Sequence, residues 1–189
     1  MKTWYFSIAI SIAWVMSEII LAIIKHSRSD STNRRDRSSL RFLWIIISLA
    51  VTAGVWLGLR GIAPIPFGRR YFLFIGLIFI IAGLVLRWAA ILTLRHYFTV
   101  DVTIMAGHRL IDLGLYHHIR HPAYSGSLLS FLGLGLVFAS YVSLAVIFIP
   151  ILFAFLYRIR IEEAALVDAF GDEYVSYSAR TKRLIPGIF

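Results

Sequence analysis

Residues 123–157, AYSGSLLSFLGLGLVFASYVSLAVIFIPILFAFLY, form a stretch of 35 residues without a single charged side chain. As one straight helix this stretch would be about 52 Å long, whereas the hydrocarbon core of a bilayer is about 30 Å thick. We therefore predict two membrane helices that turn near Ala139-Ser140-Tyr141. Three glycines, Gly126, Gly133 and Gly135, should let these two helices approach closely. Pro150 is expected to bend the second helix rather than end it.

Three further apolar runs, 4–24, 42–59 and 71–93, are each long enough to cross the bilayer as a helix. The first run is too long for the core of a signal peptide and lacks a small-x-small cleavage site, so we expect a retained helix. The chain is 59% hydrophobic and only 15% charged, and its mean hydropathy is +0.80. This composition excludes an ordinary soluble domain and predicts an all-α integral membrane protein with about five transmembrane helices.

The basic residues are unevenly distributed between the predicted loops. Fourteen of the 19 Lys and Arg residues lie in the segments 25–41, 95–120 and 158–183, and four lie at residue 2 and in 60–70. The positive-inside rule therefore places the N-terminus outside and the three basic segments in the cytoplasm. It also accounts for the sequence pI of about 10.3 without nucleic-acid binding. The absence of cysteine excludes disulfides, thiolate ligands and a cysteine nucleophile.

The chain divides into two parts on this prediction. Residues 1–93 form three transmembrane helices with a basic loop at 25–41. Residues 26–39 of this loop are expected to be a flexible connector that is able to contact anionic lipid. Residues 94–189 form a polar loop, the helical hairpin and a C-terminal tail. Apolar and charged residues alternate with helical spacing from Arg158 to about Arg180. We therefore expect a cytoplasmic amphipathic helix there, interrupted at Gly171.

Two polar blocks flank the helical hairpin and are the candidate functional segments. The first is Gly114–Tyr124, GLYHHIRHPAY, and the second is Arg158–Glu163, RIRIEE. Ionisable residues at a membrane boundary are costly to place, so they usually mark a site. Two simpler interpretations stay open on residue types alone. The tyrosines are typical of an interfacial aromatic belt, and Arg158 and Glu162, at i and i+4, are spaced for an exposed ion pair.

The histidines of this region do not favour a metal site. Five of them fall between residues 96 and 121. His117 and His121 have i, i+4 spacing, but Pro122 disfavours helical geometry at His121. No cysteine is available, and no carboxylate is regularly spaced with the imidazoles. We expect these histidines to contact a ligand or the interface, with no protein-bound metal.

The order of these motifs resembles that of the isoprenylcysteine carboxyl methyltransferase family. The relevant segments are His108-Arg-Leu-Ile, Gly114-Leu-Tyr, Arg120-His-Pro-Ala-Tyr, Arg158-x-x-x-Glu-Glu and Phe170-Gly-Asp-Glu-Tyr. They span about residues 98–186, roughly half the chain. The resemblance implies an integral-membrane methyltransferase, grouped with phospholipid methyltransferases, that uses S-adenosyl-L-methionine.

The resemblance also implies which residues contact the ligands. Carried over by motif, the cofactor contacts are His108, Arg109, Leu110, Ile111, Tyr116, His121, Pro122, Ala123, Tyr124 and Glu162. The substrate-contacting arginine is Arg158, and Arg158 and Glu162 are the expected catalytic pair. Two positions depart from the pattern of eukaryotic members: Asp101 stands where they carry glutamine, and Ile111 replaces a valine.

The function expected from this resemblance is methylation of the carboxylate of a lipophilic acceptor at the cytoplasmic surface, the acceptor being a prenylated protein end or another lipid acid. Three alternatives stay open. An amine N-methyltransferase needs a base, for which His117, His118 and Glu163 are candidates. A sterol-reductase-like enzyme needs a clamp for the 2′-phosphate of NADPH, for which Arg109 and Arg120 are candidates. The third alternative is a non-catalytic membrane protein. The oligomeric state is not encoded in any of these patterns.

Overall fold

The structure is a computed structural model that describes residues 34–94 and 110–189. Every regular element in these two ranges is a helix. In chain order the helices are α1 (Arg34–Leu59), α2 (Arg69–Leu94), a 3₁₀ turn (Gly114–His117), α3 (Pro122–Val137), α4 (Tyr141–Phe170) and α5 (Asp172–Arg180). The predicted span 4–24 lies outside the described residues, as do His108 and Arg109.

Three of these helices are long and apolar enough to cross a membrane: Ser38–Leu59 within α1, all of α2 and all of α4. The predicted spans 42–59 and 71–93 are thereby confirmed. However, α1 begins at Arg34, so the prediction of a flexible connector over residues 26–39 is wrong for its last six residues. Their backbone hydrogen bonds continue the helix beyond the apolar run, and Ser39 in this extension is buried.

The turn between the two hairpin helices lies where the sequence predicts it. Helix α3 ends at Val137 and α4 begins at Tyr141. Ala139 has a φ of +47°, and Ser140 caps α4 by accepting a hydrogen bond from the Ser143 N–H at 3.1 Å. The Ser140 hydroxyl also donates to the Ile62 carbonyl at 2.7 Å. This turn is therefore tied to the loop between α1 and α2.

Helix α4 contains 30 residues, about 45 Å at 1.5 Å per residue. It passes through Pro150 without ending and continues from the apolar run into the second polar block. The predicted helix from Arg158 to about Arg180, with its interruption at Gly171, is confirmed, but its first part continues α4 and is not a separate helix. No helix breaker stands between Tyr157 and Phe170, and the residues there are mostly good helix formers. The chain turns only at Gly171, whose φ of +53° suits glycine, and α5 follows.

Helix α4 packs between α1 and α3, and α3 packs between α4 and α2. The closest helix contact joins α2 to α3. A Cβ on Gly133 would lie 2.5 Å from the Gly76 carbonyl oxygen, and one on Gly126 would lie 2.6 Å from that of Gly83. Only Gly135 faces the other hairpin helix, at Leu144. Gly126 and Gly133 thus serve the α2–α3 contact, and the prediction that all three glycines bring α3 and α4 together is wrong for these two.

Candidate active site

The 3₁₀ turn places the Tyr116 side chain against the C-terminal part of α2. Gly114 has a φ of +58°, and the turn buries the Tyr116 side chain against Ala90 and Ala123. The Tyr177 hydroxyl of α5 donates to the Tyr116 carbonyl at 2.7 Å. Burial raises the pKa of Tyr116, and the neighbouring negative charge of Glu162 raises it further. The first polar block is therefore folded into the protein and not spread along an interface.

His121 and Pro122 begin α3 in the manner expected of a histidine before proline. His121 has a φ of −123° and a ψ of 55°, outside the helical region, and Pro122 is the first helical residue. The His121 carbonyl accepts hydrogen bonds from the Tyr124 and Ser125 N–H groups, both at 3.0 Å. The His121 ring stacks on that of Tyr124, with a centroid separation of 5.6 Å and an interplanar angle of 13°. The result is a flat aromatic pair in which His121 is buried and Tyr124 is half-buried.

Tyr124 connects this pair to the second polar block. Its hydroxyl donates to Glu162 Oε2 at 2.7 Å, and its ring lies near that of Phe155 of α4, with a centroid separation of 5.1 Å and an interplanar angle of 49°. Glu162 itself is half-buried. The carboxylate is thus held in a defined position at the surface of the aromatic pair.

Arg158 lies one helical turn before Glu162 and is almost fully buried, with 1% of its surface exposed. It occupies the packed face of α4, together with Ile151, Ala154 and Phe155. Its Nη1 donates to the Ser39 hydroxyl of α1 at 2.6 Å. Burying a guanidinium is costly unless it is hydrogen-bonded, so Arg158 is a specifically placed buried charge and not part of a solvated helix face.

A second arginine lies inside an apolar helix, at Arg87 of α2. Its Nη1 donates to the Ser127 hydroxyl at 2.8 Å and to the Ala123 carbonyl at 3.3 Å. The backbone of Arg87 is pressed against Gly126, where a Cβ would come within 2.6 Å of the Arg87 nitrogen. Arg87 therefore holds the first turns of α3, which carry Ala123 and Tyr124.

The three histidines in the described part of the chain do not converge. His117 pairs with Asp112 at 3.1 Å between Nδ1 and Oδ1, His118 lies edge-on to His117, and both are exposed. His121, in contrast, is buried. Within residues 34–94 and 110–189 no group of three or more His, Asp or Glu side chains is arranged to hold a metal ion.

Comparison with known proteins identifies the family. The sequence pattern of the isoprenylcysteine carboxyl methyltransferase family matches residues 75–168. A probable protein-S-isoprenylcysteine O-methyltransferase of Oryza sativa subsp. indica is 28% identical over 191 aligned residues, covering 99% of this chain and 97% of the relative. The chain belongs to the isoprenylcysteine carboxyl methyltransferase family.

Two further similarities support this family membership. Protein-S-isoprenylcysteine O-methyltransferase B of Arabidopsis thaliana is 34% identical over 113 residues, which cover 59% of this chain and 57% of the relative. The solved structure of the eukaryotic intramembrane Ras methyltransferase, isoprenylcysteine carboxyl methyltransferase, superimposes with a TM-score of 0.68. It covers 99% of this chain and 67% of that one at 23% identity. That structure shows the shared fold, that of an integral membrane protein.

The fold of this chain brings most of the residues expected at the site close together. Tyr116 packs on Ala123, His121 stacks on Tyr124, and Tyr124 bonds Glu162. Pro122 is buried at the start of α3, and Arg158 lies one turn before Glu162. Leu110 and Ile111 are half-buried at the start of the second described range. Their roles as ligand contacts stay predictions.

Sequence reasoning missed three residues that build the site. Ser39, which accepts a hydrogen bond from Arg158, lies in a segment whose sequence predicts a flexible connector. Tyr177 was only one of several tyrosines in the tail, yet its hydroxyl bonds the Tyr116 carbonyl. No local pattern indicated either contact, because each joins segments that are far apart in the chain. Arg87 did carry a signal, since a lone charge inside an apolar span usually has a function or a partner.

Proposed function

We propose that this chain is a membrane-embedded methyltransferase that transfers a methyl group from S-adenosyl-L-methionine to the carboxylate of a lipophilic acceptor, such as an isoprenylcysteine or another lipid acid. One observation carries the proposal. A buried arginine and a half-buried glutamate lie one turn apart on α4, and each is fixed by a hydroxyl from another helix. The arginine can bind an anion and the glutamate can bind a cation. Methyl transfer from a sulfonium to a carboxylate requires such a pair of neighbouring sites.

Arg158 is the proposed holder of the acceptor carboxylate. A guanidinium presents its N–H groups in a planar fork that matches the two oxygens of a carboxylate. The bond from Nη1 to Ser39 fixes the orientation of that fork. Because Arg158 is surrounded by the apolar face of α4, its attraction for an anion is screened less than it would be in water. An acceptor with a long apolar group would reach it from the bilayer.

Glu162 and the His121–Tyr124 pair are the proposed elements of the donor site. S-adenosyl-L-methionine carries a positively charged amino group and sulfur and a flat purine, and it supplies the electrophilic methyl group. The residues present fit these groups: Glu162 provides a half-buried negative charge, and the stacked rings provide a flat aromatic surface. Tyr124 keeps the carboxylate in place through its hydroxyl.

The reaction requires that the two reactants are aligned and that water is excluded, and it requires no general base. The methyl–sulfur bond breaks as the methyl–oxygen bond forms, and a carboxylate is already ionised at neutral pH. Opposite charges cancel during the transfer, so water would stabilise the separated reactants more than the transition state. The buried Arg158 and its Ser39 anchor hold the nucleophile away from water, and correct positioning supplies most of the acceleration.

The contacts in the site do not favour the rival activities. An ammonium acceptor would meet the like charge of Arg158, and of the candidate bases His117 and His118 are exposed. Glu163, the third candidate, is engaged by Arg120 and Arg183 at 2.9 Å each. For NADPH binding, Arg120 is already bonded to Glu163, the Ser178 carbonyl and the Thr181 carbonyl. The carboxyl acceptor therefore has the better support.

The proposed orientation places this site at the cytoplasmic side of the membrane, because the basic segments around it follow the positive-inside rule. A reporter fused after Phe189 should then face the cytoplasm, and one inserted at residues 60–68 should face the opposite side. Finding both reporters on the same side would contradict this orientation.

Calorimetry of the purified protein tests the activity. We expect binding of S-adenosylhomocysteine and none of NADPH, followed by transfer of labelled methyl to a farnesylated cysteine with a free carboxylate. The same compound with an amidated carboxyl is the matched control and should stay unlabelled. Phosphatidylethanolamine labelling with no label on the acid would instead support the amine acceptor. Tight NADPH binding without S-adenosylhomocysteine binding would overturn the proposal.

A further inference from the structure

The glutamate next to Glu162 has a different set of partners. Glu163 Oε1 lies 2.9 Å from Arg120 Nε and 3.4 Å from His121 Nε2. Its Oε2 lies 2.9 Å from Arg183 Nε. The carboxylate is only 12% exposed, and the side chains of Arg120 and His121 are 9% and 4% exposed. Glu163 is thus a buried anion surrounded by three nitrogen-bearing side chains, whereas Glu162 faces Tyr124.

These partners come from two segments that pair through their backbones. Residues 181–184, which we term the C-terminal strap, run parallel to residues 118–121. Arg120 N–H donates to the Lys182 carbonyl at 2.7 Å, Lys182 N–H donates to the His118 carbonyl at 3.1 Å, and His121 N–H donates to the Arg183 carbonyl at 3.0 Å. The strap therefore fixes the backbone of the residue that stacks on Tyr124.

Side chains fasten the strap at both of its ends. Arg120 Nη1 donates to the Ser178 carbonyl at 2.8 Å and to the Thr181 carbonyl at 2.5 Å, at the C-terminal end of α5 where a cation is favoured. At the other end, the Ser125 hydroxyl of α3 donates to the Leu184 carbonyl at 2.6 Å. Leu184 itself belongs to the hydrophobic core. The strap is therefore an integral layer of the site.

We propose that Glu163 is a positioning residue, which together with the C-terminal strap holds His121 against Tyr124 and so sets the Tyr124 hydroxyl on Glu162. The inference rests on the proposed function, because it assigns the two neighbouring glutamates different tasks at one site. Glu162 contacts the methyl donor. Glu163 does not touch it and acts through Arg120, His121 and the strap.

The physical reason is the cost of leaving a buried charge unpaired. Removing the charge of Glu163 leaves two guanidinium groups, from Arg120 and Arg183, without their common anion. These groups are then drawn towards water or towards other acceptors, and the strap, which they connect to α4, loosens. An exposed ion pair would have little effect of this kind. The burial of Arg120 and Glu163 is what makes the arrangement a determinant of geometry.

The test compares Glu163→Gln with Glu162→Gln and with Asp168→Asn, an exposed carboxylate on the same helix. Each variant is purified as the full chain, and two quantities are measured: the affinity for S-adenosylhomocysteine, and hydrogen exchange of the Arg120, His121 and Lys182 amides. We expect Glu163→Gln to weaken binding about tenfold or more and to speed exchange at all three amides. Glu162→Gln should weaken binding without changing exchange, and Asp168→Asn should change neither.

Activity adds a third measurement. Glu163→Gln should raise the KM for S-adenosyl-L-methionine while kcat at saturation falls much less, since the donor site is disordered until it is filled. Wild-type affinity and exchange in Glu163→Gln would overturn the proposal. If Glu163→Gln does not fold, Arg183→Gln decides. This substitution removes the more exposed of the arginine partners of Glu163. Faster amide exchange together with unchanged S-adenosylhomocysteine affinity in Arg183→Gln would equally overturn the proposal.

Failure of the proposed function gives a different result. If the wild-type chain binds no S-adenosylhomocysteine, the donor assignment is wrong, yet the exchange rates still report whether Glu163 orders the strap and His121. Faster amide exchange in Glu163→Gln would then leave Glu163 with a structural role only, and its proposed positioning role would be rejected.

Discussion

The contact between α2 and α3 and the polar end of the molecule are held together in opposite ways. The first, which we term the glycine interface, brings two backbones together at Gly76 and Gly83 on one helix and at Gly126 and Gly133 on the other. The polar end comprises Ser39 of α1, residues 110–124, the end of α4, α5 and the strap. There, buried charges and hydroxyls connect segments that are far apart in the chain.

The difference follows from the surrounding solvent. Between helices in lipid there is no hydrophobic driving force, so close packing of small residues supplies the association. At the polar end, directional hydrogen bonds fix the orientation of individual side chains. Substitutions in the glycine interface should therefore mainly lower stability, whereas substitutions in the buried part of the polar end should mainly alter ligand binding or rate. Arg87 joins the two regions, because it packs on Gly126 and bonds the start of α3.

The largest effect is expected from Gly126→Leu. The first side-chain atom alone would lie 2.6 Å from both the Arg87 nitrogen and the Gly83 oxygen, so the helices must separate. We expect destabilisation at or above the upper end of the roughly 1–3 kcal/mol typical of overpacking. Thermal unfolding in detergent measures it. Ala82→Leu, on the exposed side of α2, is the control and should be nearly neutral. Equal stability of the two variants would show that the glycine interface does not set the packing.

Arg158→Lys should have the next largest effect, on rate rather than on folding. Lysine keeps the charge but lacks the planar fork, so the acceptor carboxylate loses its alignment. We expect kcat/KM to fall by roughly one to two orders of magnitude, with nearly normal affinity for S-adenosylhomocysteine. Steady-state kinetics and calorimetry on the same preparation measure both. A variant with unchanged kcat/KM would remove Arg158 from the acceptor site.

Glu162→Gln should show the converse pattern. The neutral amide still accepts the Tyr124 hydroxyl bond but no longer attracts the amino group of the donor. We expect roughly tenfold weaker binding of S-adenosylhomocysteine, the loss of one hydrogen bond to a charged group. Glu173→Gln, an exposed carboxylate on α5, should leave binding unchanged. If Glu162→Gln and Glu173→Gln behave alike, Glu162 is an ordinary surface residue.

The smallest effect is expected at Asp112, on the outer surface of the polar end. The hydrogen bond from Arg180 lowers the pKa of Asp112 against the opposing effect of burial, and the bond from His117 lowers it further. The stabilisation is therefore complete above the ordinary value of 3.8 and is lost as the pH falls through the lowered native value. At neutral pH, Asp112→Asn should cost about 0.2–1 kcal/mol, as for exposed ion pairs.

Unfolding temperatures between pH 3 and 7 check this prediction. The wild-type chain should unfold at a higher temperature than Asp112→Asn at neutral pH, and this difference should disappear only at the acid end of the range. A constant difference across the range would mean that the Asp112 charge contributes nothing to stability.

Some of this protein is determined by the sequence alone. Hydropathy and length predict the helices 42–59 and 71–93, because a bilayer demands runs of about 20 apolar residues wherever they occur. The same argument predicts the turn near Ala139, because a single straight helix of 35 uncharged residues would be much longer than the bilayer core is thick. The local rule for a residue before proline predicts that His121 stands outside the helix. The order of the polar motifs indicates the family and, through it, the candidate residues.

Only the tertiary structure decided how distant segments meet. Which helix Gly126 and Gly133 face, that Ser39 receives the Arg158 guanidinium, and that residues 181–184 pair with 118–121 depend on contacts between residues far apart in the chain. The length of α4 belongs here as well, because charged residues with good helix propensity can either continue a membrane helix or begin a new one. Glu162 and Glu163 are chemically identical in the sequence. They are distinguished only by the helical rotation of about 100° between them, which directs one to Tyr124 and the other to Arg120 and Arg183.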